Sequence, residues 1–191
     1  MKDRYSRILD GISELMSETG AKYAIIGGVA VSIHGIPRLT MDVDVSILLE
    51  KEGISGFLGK ARKAGFVPIV RNARAFAEKT GVVPMKFRGG MPFERCDFII
   101  AQNSLEKAAI ERARPMKVGP CKVMIVSAED LFLHKLLSDR PRDREDAEGI
   151  AMRRRNLDRR YIMSWVKKIA NVAGGAALAR SAEKLLMKKA G

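Results

Sequence analysis

The sequence predicts an α/β (α+β) fold in which a mixed sheet is flanked by helices and followed by a helical C-terminal region. Apolar segments of strand length alternate with amphipathic segments of helical period up to about residue 126. Every later segment has helical period alone. We therefore expect a core over residues 1–126 and a helical region over residues 127–191 that completes the functional site.

The composition is that of an ordinary globular chain of 191 residues, of which 47% are hydrophobic and 30% charged. The longest apolar runs have strand length, well below the roughly 18 residues that span a bilayer. The first ten residues lack the apolar segment of a secretory leader. The two cysteines have neither metal-site nor redox spacing. We therefore expect a cytoplasmic protein without a membrane segment.

The predicted elements begin with an amphipathic helix over Ser6–Thr19, which ends at Gly20. A short apolar strand, the pair Gly27-Gly28 and a helix follow, at 22–26 and 29–34. The clearest strand is 42–49, because apolar residues alternate there with Asp42, Asp44 and Ser46. The rest of the core is predicted as a helix at 52–64, an ambiguous region at 66–90 with strand candidates at 66–70 and 82–87, a strand at 95–101, a helix at 104–112 and a strand at 121–126.

Four helices are predicted after residue 126, and the positive charge of the chain is concentrated among them. The helices cover 127–137, 142–154, 158–172 and 176–189, separated by Pro141, the Asn156 region and Gly174-Gly175. The whole chain has a net charge of +13, of which residues 151–191 carry +9. Such a concentration is typical of a surface that binds phosphate polymers, or of a solvated helix face in a basic protein.

Asp42 and Asp44 lie on one face of their predicted strand, with side chains about 6–7 Å apart. Two carboxylates at that distance repel each other unless a cation lies between them, and a hard divalent ion such as Mg²⁺ prefers oxygen ligands. Asp97 interrupts an otherwise apolar strand, where a charge needs a partner or a metal. These three acids fit a two-metal phosphoryl-transfer site, although exposed acids on an edge strand are a simpler reading of Asp42 and Asp44 alone.

Gly27 and Gly28 lie where a buried strand meets a helix, and glycines there permit close backbone approach to an anion at the helix start. The usual phosphate-binding motifs are absent, since the chain has neither G-x-x-x-x-G-K-[ST] nor G-x-G-x-x-G after a strand. The pair alone is also compatible with a simple turn.

Lys135 lies among apolar residues of its predicted helix, while Asp143 and Asp146 lie on the inward side of the next one. Buried acids need partners, for which Lys135, Arg142 or a bound ligand are candidates. An ordinary salt-bridge network would explain the same pattern. We expect His34, His134 and Cys96 to be packing residues, and Tyr161, Ile162 and Trp165 to form a packing stripe.

The order of these motifs resembles the polymerase-β-like nucleotidyltransferase superfamily, which has a glycine pair, then Asp-x-Asp, then a third acid on a later strand. The run Ile26-Gly27-Gly28-Val29-Ala30, followed by His34-Gly35 and Pro37-Arg38-Leu39-Thr40-Met41-Asp42-Val43-Asp44, is similar to the AbiEii-type toxin nucleotidyltransferases. The similarity continues in Ser127-Ala128-Glu129-Asp130-Leu131, Lys135-Leu136 and Arg140-Pro141-Arg142-Asp143. Gly28 departs from the pattern, because many members carry serine there.

The resemblance implies a nucleotidyltransferase fold and transfer of a nucleoside monophosphate from an NTP to an acceptor hydroxyl, with Mg²⁺ or Mn²⁺ as cofactor. It implies that Asp42, Asp44 and Asp97 are catalytic and bind the metal. It also implies nucleotide contacts from a second set of residues, which is Gly27, Gly28, Arg38, Lys135, Asp143 and Asp146.

The acceptor expected from the basic C-terminal helices and the toxin resemblance is RNA, in particular tRNA, or an antitoxin-type partner protein. Two alternatives stay open. One is transfer to a small molecule, as in antibiotic-modifying relatives, and the other is a non-catalytic nucleotide- or RNA-binding module on the same fold.

Overall fold

The structure is a computed structural model that describes residues 6–88, 94–138, 140–173 and 176–187. Within these residues the strands are β1 (Tyr23–Ile26), β2 (Asp42–Ile47), β3 (Phe66–Pro68), β4 (Val82–Phe87), β5 (Arg95–Ile100), β6 (Arg114–Val118) and β7 (Cys121–Ile125). The helices are α1 (Ser6–Thr19), α2 (Gly27–His34), α3 (Ile54–Lys63), α4 (Ala73–Thr80), α5 (Ser104–Glu111), α6 (Ala128–Leu136), α7 (Pro141–Arg153), α8 (Arg159–Ala173) and α9 (Ala176–Met187). A 3₁₀ turn at Lys51–Gly53 precedes α3.

The strands form one mixed sheet in the order β3-β4-β5-β2-β1-β7-β6. The central strand β2 is parallel to β5 and antiparallel to β1, and β1 is parallel to β7. The outer pairs β3–β4, β4–β5 and β6–β7 are antiparallel. The predicted fold class, a mixed sheet flanked by helices with a helical region after it, is confirmed.

The two central strands bury one face and leave charged residues on the other. Val45 of β2 lies beside Phe98 of β5, and both are fully buried. The ring of Phe98 packs edge-on against Phe57 and Phe66, with ring centroids 5.2 and 5.3 Å away. Burial of aromatic side chains is a large contribution to the stability of a domain core. This packed face fixes the register of β2 and β5, because a slip of one residue would bury the acids instead.

The chain divides into two compact units. The first comprises Met1–Val29 and Leu39–Val126 and contains the whole sheet. The second comprises Ala30–Arg38 and Ser127–Gly191 and is helical. Helix α2 begins in the first unit and ends in the second.

The second unit packs around a buried aspartate at the start of α6. The Ser127 side chain caps this helix by accepting a hydrogen bond from the backbone N–H of Asp130. The fully buried Asp130 carboxylate accepts hydrogen bonds from the hydroxyls of Ser127 and Tyr161. Tyr161 packs edge-on against Trp165, and the neighbouring Ile162 is completely buried. The predicted packing stripe on α8 is confirmed.

The structure corrects the predicted secondary structure in three places. Helix α4 occupies part of the ambiguous region after residue 66, with Asn72 as its side-chain cap. Strand β6 was not predicted, because Pro115 and two exposed basic residues interrupt any strand pattern there. Strand β2 ends at Ile47, two residues earlier than predicted. The predictions for residues 89–90, 174–175 and 188–189 fall outside the described residues. No helix in the described part of the chain is long and apolar enough to cross a membrane.

Candidate active site

Four charged side chains lie together on the polar face of β2 and β5, which we call the carboxylate face: Asp42, Asp44, Arg95 and Asp97. The parallel register pairs Asp44 with Asp97 and Asp42 with Arg95. Neighbouring strands are about 4.8 Å apart, so residues in register present their side chains side by side. The fold therefore brings the three predicted acids to one patch of the sheet in the first unit.

The turn after β1 is shaped around Asp44. Gly27 has a φ of +60°, which side chains rarely adopt, and a Cβ built there would lie 1.9 Å from Oδ2 of Asp44. Only glycine therefore leaves room for this carboxylate. The backbone of Gly27 and Gly28 forms the first turn of α2, at the positive end of the helix dipole. The predicted close approach of the glycine backbone to a bound anion stays a prediction, and the group that Gly27 accommodates in this structure is the Asp44 carboxylate.

Asp42 is positioned by the residue two places before it. The hydroxyl of Thr40 donates a 2.8 Å hydrogen bond to Oδ1 of Asp42. A Cβ at Gly28 would lie 2.5 Å from the same hydroxyl oxygen. The absence of a side chain at Gly28 thus allows Thr40 to reach Asp42. Thr40 was not recognised from the sequence as a site residue, although its i−2 spacing from a strand carboxylate was a usable signal.

Arg95 neutralises part of the negative charge on the carboxylate face. Its Nε donates a 2.8 Å hydrogen bond to Oδ1 of Asp97. This hydrogen bond and the charge of Asp97 raise the pKa of the Arg95 guanidinium, with further contributions from Asp42 and Asp44. Arg95 was not recognised from the sequence, where its position two residues before Asp97 on the same strand face was the available signal.

Carboxylate oxygens are the ligands that Mg²⁺ and Mn²⁺ prefer, so the donor set of the carboxylate face suits such an ion. In the described residues, no group of three or more His, Cys, Asp or Glu side chains is arranged so that it could hold a metal ion. Asp42 and Asp97 are instead turned toward Thr40 and Arg95. The metal-binding role of Asp42, Asp44 and Asp97 stays a prediction, and Arg95 occupies Oδ1 of Asp97 in this structure.

Cys96 points away from the acids into the core, as predicted, and is fully buried. Burial raises the pKa of its thiol well above the ordinary value, and the charges of Asp97 and Asp44 raise it further. The thiol is therefore kept protonated and acts as a small apolar core group.

The second unit contains a buried ion network, which we call the Lys135 cluster: Arg38, Lys135, Asp143 and Asp146. Nζ of Lys135 donates to Oδ1 of Asp143 and lies 2.9 Å from Oδ2 of Asp146. Arg38 binds Asp146 in a bidentate manner, with N–O distances of 3.0 and 3.1 Å. The exposed Arg140 and the hydroxyl of Ser138 each bind Asp143 at 2.6 Å.

The environment of the cluster keeps both acids ionised. Burial raises the pKa of Asp143, but hydrogen bonds from Lys135, Ser138 and Arg140 outweigh it and lower the pKa overall. Burial likewise raises the pKa of Asp146, and the hydrogen bonds and charges of Arg38 and Lys135 again lower it on balance. The expected inward orientation of both acids is confirmed, with Arg38 and Arg140 as partners where Arg142 was suggested. The predicted roles of Arg38, Lys135, Asp143 and Asp146 at a nucleotide stay predictions.

The solved structures that are similar to this chain include two that we describe by name. A nucleotidyltransferase-like antigen from Paracoccidioides brasiliensis superposes with a TM-score of 0.54 and 14% identity, over 92% of this chain and 90% of that one. The lincosamide antibiotic adenylyltransferase LnuA, in its lincomycin-bound crystal structure, gives a TM-score of 0.50 and 14% identity, over 76% of this chain and 95% of that one. The chain has a nucleotidyltransferase fold. No protein-family model matches the sequence, and no curated protein matches it significantly.

The nucleotidyltransferase fold agrees with the superfamily resemblance that the glycine pair and the Asp-x-Asp motif indicated. At 14% identity the similarity shows the fold alone, and the AbiEii-type subgroup stays a prediction.

Proposed function

We propose that the protein is a metal-dependent nucleotidyltransferase that moves a nucleoside monophosphate from an NTP to an acceptor hydroxyl and releases pyrophosphate. The observation that carries the proposal is the strand register that places Asp97 beside Asp44, with Asp42 on the same face. Three carboxylates converge there next to a glycine turn that opens a helix. The nucleotidyltransferase fold supports this reading.

In the proposed site, Asp42 and Asp44 hold two divalent cations, Mg²⁺ or Mn²⁺, and Asp97 holds the catalytic one of these. When bound, such ions neutralise triphosphate charge and lower the pKa of the attacking hydroxyl. Gly27 leaves room for the Asp44 carboxylate in its observed position, and the hydroxyl of Thr40 holds the Asp42 carboxylate through a hydrogen bond.

The reaction forms a bond between the acceptor oxygen and the α-phosphorus and breaks the bond from that phosphorus to the bridging oxygen of the β-phosphate. Asp97 accepts the proton of the acceptor hydroxyl, and pyrophosphate takes the electron pair of the broken bond. The N–H groups of Gly27 and Gly28, at the positive end of α2, bind triphosphate oxygens.

We propose RNA, including tRNA, as the acceptor, because residues 151–191 carry a net charge of +9. A protein hydroxyl on an antitoxin-type partner is the second acceptor to test. LnuA acts on a lincosamide antibiotic, so a small-molecule acceptor belongs among the outcomes of the experiment.

The deciding experiment is label transfer from each α-labelled NTP in the presence of Mg²⁺. The acceptors offered are total tRNA, lysate protein and a lincosamide. We expect label on tRNA with the wild-type protein and none with Asp42→Ala or Asp42→Asn. Asp42→Asn is the sharper variant because its amide oxygen still accepts the hydrogen bond of Thr40. Asp10→Ala, which removes an exposed acid of α1, is the matched control and should transfer label normally.

Wild-type transfer by Asp42→Asn would contradict the proposed site. Label on protein or on the lincosamide would keep the reaction and replace the acceptor. A complete lack of transfer, together with a calorimetric titration that shows no Mg²⁺-dependent NTP binding, would indicate the non-catalytic binding module instead.

A further inference from the structure

A groove of about 460 Å³ opens on the second unit, and six of its eight lining residues have polar side chains. Three consecutive arginines from the end of α7 contribute most of its charge. We call it the arginine groove, and it is lined by His34, Ala128, Glu129, Arg153, Arg154, Arg155, Asn156 and Leu157. None of the acids of the Lys135 cluster lines it.

Two of the three arginines are anchored to the backbone. Arg153 donates through Nη1 to the carbonyl of Gly35 at 2.7 Å, and Arg154 donates through Nη2 to the carbonyl of Ile33 at 2.9 Å. These carbonyls lie at the end of α2, where the helix dipole is negative and favours cations. A guanidinium carries five N–H donors in a rigid fork. One backbone hydrogen bond fixes each of these two guanidinium groups and leaves further N–H donors on it for a ligand. The buried Nε of Arg154 has no acceptor among the described residues.

The third arginine of the groove, Arg155, differs from the other two. Arg155 is exposed, and within the described residues its guanidinium makes no hydrogen bond or ion pair. The single acid of the groove, Glu129, accepts a hydrogen bond from the backbone N–H of Asp158. The lining therefore has an excess of positive charge, with two anchored guanidinium groups beside a third that points into solvent-accessible space.

We propose that the arginine groove binds the phosphate groups of nucleotides. Guanidinium groups bind phosphate oxygens through paired hydrogen bonds, and fixed groups lose less entropy on binding than mobile ones. The volume lies within the range of small-molecule sites, so it accommodates a nucleotide as well as a bare phosphate. The phosphates come either from an RNA strand or from a free nucleotide. The exposed Arg159 and Arg160 at the start of α8 extend the positive charge past the groove, which favours the strand.

This proposal rests on the proposed function in one respect, since the RNA bound in the arginine groove would be the proposed acceptor. Binding of phosphate groups in the groove does not itself depend on nucleotidyl transfer. The test is therefore equilibrium binding without divalent ions, where the carboxylate face contributes no metal-mediated affinity. The probes are a short fluorescein-labelled single-stranded RNA, followed by anisotropy over a salt series, and a fluorescent ATP analogue. This binding measurement and the label-transfer experiment can fail independently, which separates the two proposals.

The informative variants are Arg155→Gln and Arg155→Glu, because this side chain makes no hydrogen bond or ion pair with any residue that the structure describes. Matched controls are Arg180→Glu on the exposed side of α9 and Lys117→Glu on β6, which change the net charge equally. We expect Arg155→Glu to weaken RNA binding about tenfold and Arg155→Gln to reduce the salt slope by about one. The control variants should weaken binding by about twofold or less through net charge alone.

Loss of ATP-analogue binding with unchanged RNA binding would support the groove and assign it to a free nucleotide. Unchanged binding of both probes by the Arg155 variants would overturn the proposal. An equal loss in Arg180→Glu would also overturn it, because the effect would then be one of overall charge. We expect Arg155→Gln to be as stable as the wild type, and a denaturation curve that overlays the wild type confirms that the variant is folded.

Discussion

Arg95 is the side chain that decides how accessible Asp97 is to a metal ion. The Arg95 side chain is roughly half exposed, whereas Asp97 is largely buried. Because ion pairs with an exposed partner are weak, breaking this one so that Arg95 turns into solvent costs little free energy. The positive charge of Arg95 opposes the approach of a divalent cation to the Asp97 carboxylate. The arginine therefore behaves as a removable counterion on the carboxylate face.

Replacing Arg95 by glutamine is expected to tighten Mn²⁺ binding about fivefold, because the competing charge is gone and the ion pair is worth about 1 kcal/mol. The measurement is titration of Mn²⁺ in the absence of nucleotide, by electron paramagnetic resonance of the unbound ion. Lys107→Gln, an exposed lysine of α5 in the same unit, controls for net charge. Weaker Mn²⁺ binding by Arg95→Gln would show that the arginine supports the metal site instead of opposing it.

Gly27 offers a second test at the level of one residue. An alanine there has to adopt a φ of +60° and displace the Asp44 carboxylate. We expect Gly27→Ala to cost about 1–3 kcal/mol of stability, measured by urea denaturation, and to abolish label transfer. Gly59→Ala is the matched control, since its Cβ meets nothing within 4 Å in helix α3. That variant should be as stable as the wild type or more so, and equal stability of Gly27→Ala would mean that the turn relaxes freely.

Helices α6 and α7 are held together by the Lys135 cluster, which makes their packing sensitive to acid. Asp143 and Asp146 both have a pKa lowered in the folded state. Their contribution to stability is complete above the ordinary carboxyl pKa of about 3.9 and is lost as the pH falls through the lower folded-state values.

We therefore expect the free energy of unfolding to decrease between about pH 5 and pH 2, and to decrease less steeply in Asp146→Asn. Urea denaturation across this range is the measurement. Asp10→Asn, which changes an exposed acid on α1, should keep the wild-type slope. An unchanged slope in Asp146→Asn would show that this carboxylate does not contribute to the acid sensitivity.

The elements that could be predicted are those whose sequence pattern is local. The alternation around Asp42 and Asp44 is visible because one face of β2 is buried and the other is not. Strand β6 has no such pattern, since it depends on pairing with β7 for its strand conformation. The existence of most helices was correct, and their ends differed by one or two residues, as fraying helix ends do.

Within the candidate site, the residue types and the pairing of Lys135 with Asp143 and Asp146 were predicted, but the other partnerships were not. Asp146 was expected to need a cation, yet Arg38 lies 108 residues away in the chain and no local rule connects the two. The contact of Arg95 with Asp97 is local and was within reach of sequence reasoning. The same holds for Thr40 and Asp42, whose i, i+2 spacing on an extended segment was visible.

At the scale of the whole molecule, charge sets how binding measurements have to be interpreted. With a net charge of +13, the protein attracts any polyanion at low salt. Affinity for RNA alone therefore says little about where the contacts are. Charge-matched variants and the salt dependence of RNA binding distinguish contacts in the arginine groove from attraction by the overall charge of the protein.

The division into two units also governs the order in which the molecule can be built during synthesis. Residues 30–38 belong to the second unit, but the 88 residues of Leu39–Val126 separate them from the rest of it. At ribosomal speed this interval takes about 10 s. During that time Asp146, Arg153 and Arg154 have not yet been synthesised. The hydrogen bonds that they form with Arg38 and with the carbonyl groups of Gly35 and Ile33 can therefore form only later. The sheet can therefore form first. Residues 30–38 complete their packing only after the C-terminal helices have been synthesised.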